Sequence, residues 1–159
     1  MKVLTALLLA GAVMVATPVF AQDKGSANTN MDILMQKVKA DKKLLVATNM
    51  ELSDAEGKTF WPLYDGYQKE LDQLNQRLVK AIAEYADDYN KGPVPNDTAK
   101  RLMNEVLSVE MAEAKLKSAY ADKIGKVLSA TKTARYIQIE TKIRALLKFE
   151  LAKQIPLVD

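Results

Sequence analysis

Residues 53 to 90 read SDAEGKTFWPLYDGYQKELDQLNQRLVKAIAEYADDYN, and this stretch decides the fold. It opens on Ser53-Asp54-Ala55-Glu56, a capping-box pattern in which the serine hydroxyl accepts from a first-turn amide and the glutamate reaches back. From there Phe60, Tyr64, Tyr67, Leu71, Leu74, Leu78, Ile82, Tyr85 and Tyr89 recur at steps of four, three, four, three, four, four, three and four. That is close to a heptad seam. Gly92, Pro93 and Pro95 follow and stop the helix. At 1.5 Å per residue it spans roughly 50–57 Å, an extent that calls for an elongated hairpin or a partner chain. Pro62 lies inside it and removes one backbone donor, so a bend is expected near Lys58 to Pro62. A hinge or groove lined by Phe60, Trp61 and Tyr64 is the alternative reading of that proline.

The same patterning extends outward on both sides. Asn96-Asp97 is expected to cap a third helix with Leu102, Val106, Val109, Ala112, Leu116, Tyr120, Ile124 and Val127 on its seam. Gly125 and Ser129 mark its end, and Ser129 caps a fourth helix from about Ala130 to Gln154, stopped by Pro156. The apolar residues of that helix, Ile137, Ile139, Ile143, Leu146, Leu147 and Leu151, are less regularly spaced. Before the capping box, Met31 to Thr48 reads as a first helix with Ile33, Leu34, Val38, Leu44 and Leu45 on one side. There are no alternating β-branched runs and no Asn-Gly turns. The expected fold is all-α: an elongated antiparallel hairpin or bundle of about four helices, the second and third long.

The N-terminus gives an address. Lys2 precedes the apolar run Leu4 to Val15, Pro18 follows, and Val19-Phe20-Ala21 places small residues at a cleavage site. Residues 1–21 therefore read as a signal peptide cut after Ala21, and the run is short of the ~20 apolar residues that span a bilayer. Residues 22–30 read as a polar leader and 31–159 as a single helical domain. The expected location is the bacterial periplasm, with no transmembrane segment after cleavage.

Composition excludes much chemistry. The chain has no cysteine and no histidine. Disulfides, thiol catalysis, the commonest general base and the commonest metal ligand are all missing. A Glu-x-x-His di-iron site cannot be built, and no phosphate-binding glycine loop or nucleophile elbow is present. The net charge of +3, with acids and bases interspersed, does not suit a nucleic-acid binder. Glu105, Glu110 and Glu113 read as a solvated face pairing with Arg101, Lys115 and Lys117 rather than a carboxylate site. Met31 and Met35 read as packing residues rather than Cu(I) ligands. Tyr64, Tyr67, Tyr85 and Tyr89 with Trp61 read as core, or as an amphipathic surface that grips apolar segments of other proteins.

Leu52-Ser53-Asp54-Ala55-Glu56 and Leu128-Ser129-Ala130-Thr131-Lys132 stand at two equivalent helix starts. Their layout, over roughly Leu52 to Leu151, resembles the periplasmic Spy/CpxP group, whose repeated signature is Leu-Thr-x-x-Gln. Here serine replaces threonine in both copies, and Glu56 and Lys132 stand in place of the glutamine. The resemblance implies an all-α hairpin that dimerises antiparallel into a cradle, acting as an ATP-independent chaperone or envelope-stress adaptor. A zinc-binding branch is disfavoured by the missing histidine. The segments Phe60-Trp61-Pro62-Leu63-Tyr64 and Ala152 to Val158 look closer to a set of small secreted bacterial helical proteins of no established activity.

Together these readings give an expectation of binding without catalysis and without a cofactor. Protein clients or an envelope partner would be held on the amphipathic surface, through Phe60, Trp61, Tyr64 and Tyr67 with basic rims such as Lys42, Lys43 and Lys58. The alternatives are a structural protein whose seam is buried in a homodimer or on one partner, and a metal or stress sensor.

Overall fold

The computed structural model describes residues 40–158, which lie in helices, in the short segments between them or in the four residues after the last helix. The stretches read as a signal peptide and a leader, with Met31 and Met35, lie outside the described residues. Two compact units are present, one ending at Glu51 and one beginning at Leu52. Of the former, residues 40–50 are helical (α1). Near its end Thr48 Oγ1 and Asn49 Nδ2 donate to the carbonyls of Leu44 and Leu45 at 2.9 and 2.7 Å, satisfying last-turn acceptors. Glu51 then takes φ 48°, the left-handed conformation that commonly ends helices.

The larger unit holds three long helices, α2 (Asp54–Lys91), α3 (Asn96–Ile124) and α4 (Ala130–Gln154). The capping box at Ser53 forms as the sequence predicts. Ser53 Oγ accepts from the Glu56 amide, and Glu56 Oε2 accepts from the Ser53 amide at 2.8 Å. Pro62 is carried inside α2 without ending it. One missing backbone bond is a small loss in a helix of 38 residues whose Phe60 and Tyr64 are both buried. Gly92 ends α2 at φ 148°, a conformation that side chains resist. One boundary differs from expectation. Asn96 and Asp97 do not cap α3; Pro95 is the N-cap, with no side-chain cap bond, and Asn96 opens the helix. Proline's fixed φ, −59° here, sets the chain's entry angle without help from a side chain.

Cross-helix pairs fix the topology. Arg77 meets Glu105 and Arg101 meets Glu84, so α2 and α3 run antiparallel. Glu113 meets Arg144 and Glu110 meets Lys148, so α4 runs antiparallel to α3. Glu56 meets Lys132 and Asn75 meets Arg144, so α4 runs parallel to α2. The unit is an up-down-up bundle. Tyr120 of α3 packs tightly over Gly66 of α2, where an added Cβ would lie 2.9 Å from the Tyr120 hydroxyl. That hydroxyl donates to Glu70 at 2.7 Å, and burial with the nearby carboxylate pushes the phenol up to about 12.

The core is aromatic. Phe60, Tyr64 and Tyr67 lie on the buried face of α2, and Tyr136 of α4 is inserted edge-on among them at ring distances of 5.1, 6.2 and 6.2 Å. Tyr67 also meets Tyr120 of α3 at 5.4 Å. Edge-to-face pairs add about 0.5–1.5 kcal/mol each beyond burial. In α4 the expected apolar set is corrected. Tyr136 and Glu140 are its buried residues, while Leu146 and Leu147 are 68% and 43% exposed. The α2 seam also drifts: Ala81 and Ala86 are buried where Ile82 is only half-buried. A straight helix advances past a strict heptad by about 20° every seven residues.

Two measurements follow. Tyr136→Ala should lower unfolding free energy by about 3–5 kcal/mol, as removal of a buried aromatic does. Tyr136→Phe should change it by less than about 1 kcal/mol, because the buried hydroxyl finds no aligned hydrogen-bond partner. Urea titration of both variants checks the pair. The second concerns Glu56, whose carboxylate is held at about 2 instead of 4.5, first by Lys132 and then by the Ser53 amide. A depressed carboxylate stabilises the fold above its unfolded value and loses that contribution as pH falls. Between pH 4.5 and about 2, thermal midpoints of Glu56→Gln should therefore drop less steeply than those of the parent chain.

Candidate functional site: an apolar groove beside a buried ion pair

Across the middle of the bundle the aromatic core gives way to charge. Glu113 of α3 and Glu140 of α4 are 5% and 2% exposed. Glu140 accepts from Gln68 Nε2 at 2.8 Å. Arg144 Nε donates to Glu113 Oε2 at 2.9 Å, and Arg144 Nη1 donates to Asn75 Oδ1 at 2.8 Å. Arg144 Nη2 lies 2.7 Å from the same Glu113 oxygen, in ionic contact without an aligned hydrogen bond. These groups link all three helices. The nearby phenols of Tyr64, Tyr67 and Tyr136 are pushed up, first by burial and then by the charge of Glu140.

Beyond Arg144 the C-terminal half of α4 and the hairpin enclose a groove of about 540 Å³. Leu78 and Ile82 of α2, Leu102, Met103 and Val106 of α3, and Leu151 of α4 wall it. Residues 155–158 close its end, held by the Tyr85 hydroxyl donating to the Pro156 carbonyl at 3.0 Å. Glu113 and Arg144 border it, and the Glu110–Lys148 pair at 3.1 Å forms part of its lining. Its volume falls in the range of about 300–1,000 Å³ usual for binding clefts. Met103 of this wall, Leu107 and Met111 stand four residues apart on α3 and are 55%, 49% and 61% exposed. A second cleft, between α2 and α3, is charged instead. Its Arg77, Arg101, Glu84 and Glu105 satisfy one another, and Arg77 holds the Glu105 carboxyl below its ordinary value.

The structure redistributes the residues singled out from the sequence. Phe60, Tyr64 and Tyr67 are 0%, 3% and 2% exposed, so they are core and offer no surface to a partner. Trp61 is half-buried, packed against Phe60 and Tyr64 at 5.0 and 5.4 Å. The reading of Pro62 as the hinge of a groove lined by Phe60, Trp61 and Tyr64 falls with them, since their rings fill the space. Of the rim lysines, Lys58 is exposed at the start of α2, while Lys42 and Lys43 belong to the separate N-terminal unit. The expected solvated face on α3 is also corrected. Glu105, Glu110 and Glu113 pair with Arg77, Lys148 and Arg144 on the neighbouring helices, because antiparallel packing brings those cations closer than Lys115 or Lys117. Sequence reading missed Tyr136, Glu140 and Arg144. Their spacing of four and four does put them on one side of a helix, but a tyrosine, an acid and an arginine are not an apolar stripe.

Among the described residues no cluster of three or more acidic side chains is arranged to hold a metal ion. No helix among them is long and apolar enough to cross a membrane. No protein-family model matches the chain, nor does any curated protein or solved structure.

The ion pair beside the groove makes a quantitative prediction. Arg144→Met leaves Glu113 buried without its cation and should cost about 3–5 kcal/mol. Combining it with Glu113→Leu should restore most of that, leaving about 1 kcal/mol for the donor lost by Asn75. Chemical denaturation of the two single variants and the double closes the cycle.

Proposed function

We propose that the chain is a non-enzymatic helical binding protein of the bacterial periplasm, of ATP-independent chaperone or envelope-stress adaptor type. It holds apolar segments of client proteins in the groove between the hairpin and the C-terminal half of α4. The observation that carries this reading is the groove itself, apolar in its walls and continued by the exposed Met103, Leu107 and Met111. Each leucine-sized side chain moved into it from water gains about 1.5–3 kcal/mol, so a few such residues give useful affinity. Methionine suits a surface that takes varied clients, since its unbranched thioether adapts its shape. Signal-peptide-like residues 1–21, the two Leu-Ser helix starts and the absence of histidine and cysteine support the same reading. The heptad seam of α2 is occupied within its own chain, so the aromatic residues proposed from sequence hand the contact role to Met103, Val106, Leu107 and Leu151.

A second reading is a structural protein that buries this surface in a homodimer or on one envelope partner. The four-residue spacing of Met103, Leu107 and Met111 favours it, since one helix could cover all three. Light scattering and an apolar-dye titration separate the two. A chaperone keeps dye-accessible surface at the concentrations where a dedicated dimer hides it.

The direct test is aggregation of a chemically denatured client. The parent chain at several-fold molar excess should suppress light scattering, and Met103→Asp with Leu107→Asp should lose at least half of that effect. No suppression by the parent chain removes the proposal.

A further inference from the structure

Helix α4 is the cationic element of the chain. It carries six basic and two acidic residues, a net of +4, in a protein whose total is +3. One of the two acids, Glu140, is buried and turned to the core. The stripe of α4 opposite Glu140, Arg144 and Leu151 runs Lys142, Leu146, Phe149 and Lys153, at steps of four, three and four. Leu146 is 68% and Phe149 61% exposed, among the most exposed large apolar side chains of any described helix. Lys153 lies over the Phe149 ring at 5.5 Å, keeping its charge beside the aromatic face. Glu150, paired with Lys153 at 3.3 Å, is the one acid of α4 at this end.

A helix face that sets a leucine and a phenylalanine between lysines matches one kind of partner well. Apolar side chains enter the boundary between headgroups and acyl chains, and ammonium groups stay with anionic headgroups. We infer that this outer face of α4 docks the bundle onto an anionic lipid surface. Two features separate it from the client groove. It lies on the opposite side of α4 from Leu151 and Ile155, and its single acid, Glu150, offsets only one of its two lysines, where the groove's Glu110 and Lys148 match one for one. Each lysine near an anionic bilayer raises partitioning about fivefold, so reversing two of them removes most of the preference for such a surface.

The test is co-sedimentation of the full chain with two kinds of vesicle, phosphatidylcholine alone and a three-to-one mixture with phosphatidylglycerol, at low salt. The readout is the excess bound to the mixture, because the apolar run near the N-terminus contributes to both. The parent chain should bind the anionic vesicles at least tenfold more, with the excess fading in high salt. K142E/K153E should abolish the excess. K69E/K115E makes the same change in net charge on exposed lysines of α2 and α3 and should keep most of it. L146S/F149S should reduce it several-fold. Equal binding to both vesicles overturns the proposal, as does an equal loss in K69E/K115E, which would make net charge alone responsible. An excess unchanged by L146S/F149S also overturns it, since a generic polyanion site would use the lysines alone. All the substituted positions are exposed, and unchanged far-ultraviolet circular dichroism shows that each variant folds.

Discussion

The insertion of Tyr136 into the aromatic row of α2 is the contact on which the bundle depends. The α2–α3 hairpin has a seam of its own, but α4 has no regular apolar stripe to bring to it. What seats α4 is one ring set edge-on against Phe60, Tyr64 and Tyr67, followed one and two turns later by Glu140 and Arg144. Below this point α4 is held by hydrogen bonds and charge, until Ile155 at its end packs against Ala81, Tyr85 and Leu102. Above it, at the helix start, Lys132 reaches Glu56 at 2.6 Å. The two Leu-Ser helix starts thus lie side by side, and the fifth residue of each, Glu56 and Lys132, are an acid and a base that meet.

That way of attaching a helix explains the groove. Leucine or valine at the positions of Glu140 and Arg144 would draw α4 against the hairpin along its whole length. Instead the polar residues set the spacing, and the C-terminal half, where Leu147 is 43% exposed, leaves space over Leu78, Ile82 and Val106. A buried ion pair is a weak source of stability, and here it joins α4 to both helices of the hairpin through Glu113 and Asn75. The Tyr85–Pro156 bond then closes the far end, so the groove is bounded by specific contacts at both ends.

The proposed function draws on the same asymmetry. The hairpin uses its apolar seam internally, and the rows left over are Met103, Leu107 and Met111 on α3 and Leu146 and Phe149 on α4. These rows sit in different electrostatic settings, one beside compensating charges and the other between lysines. A protein that engages unfolded segments with the first and a membrane surface with the second would work near the envelope without nucleotide and without covalent chemistry.

Most of the helical frame was legible in the residues themselves. The Ser53–Glu56 capping box, the Gly92 and Pro95 stop, the Ser129 cap and the regular steps of α2 and α3 are local signals, and each acts through backbone hydrogen bonds or φ preferences within a few residues. That is why the bounds of α4, Ala130–Gln154, agree with expectation. The surface was not legible. Whether Phe60, Tyr64 and Tyr67 face a client or Tyr136, and whether Glu113 faces water or Arg144, depends on a helix tens of residues away in the chain. An aromatic at a seam position declares only that it leaves water. Which surface receives it was decided by the packing of α4, and with that packing came the groove.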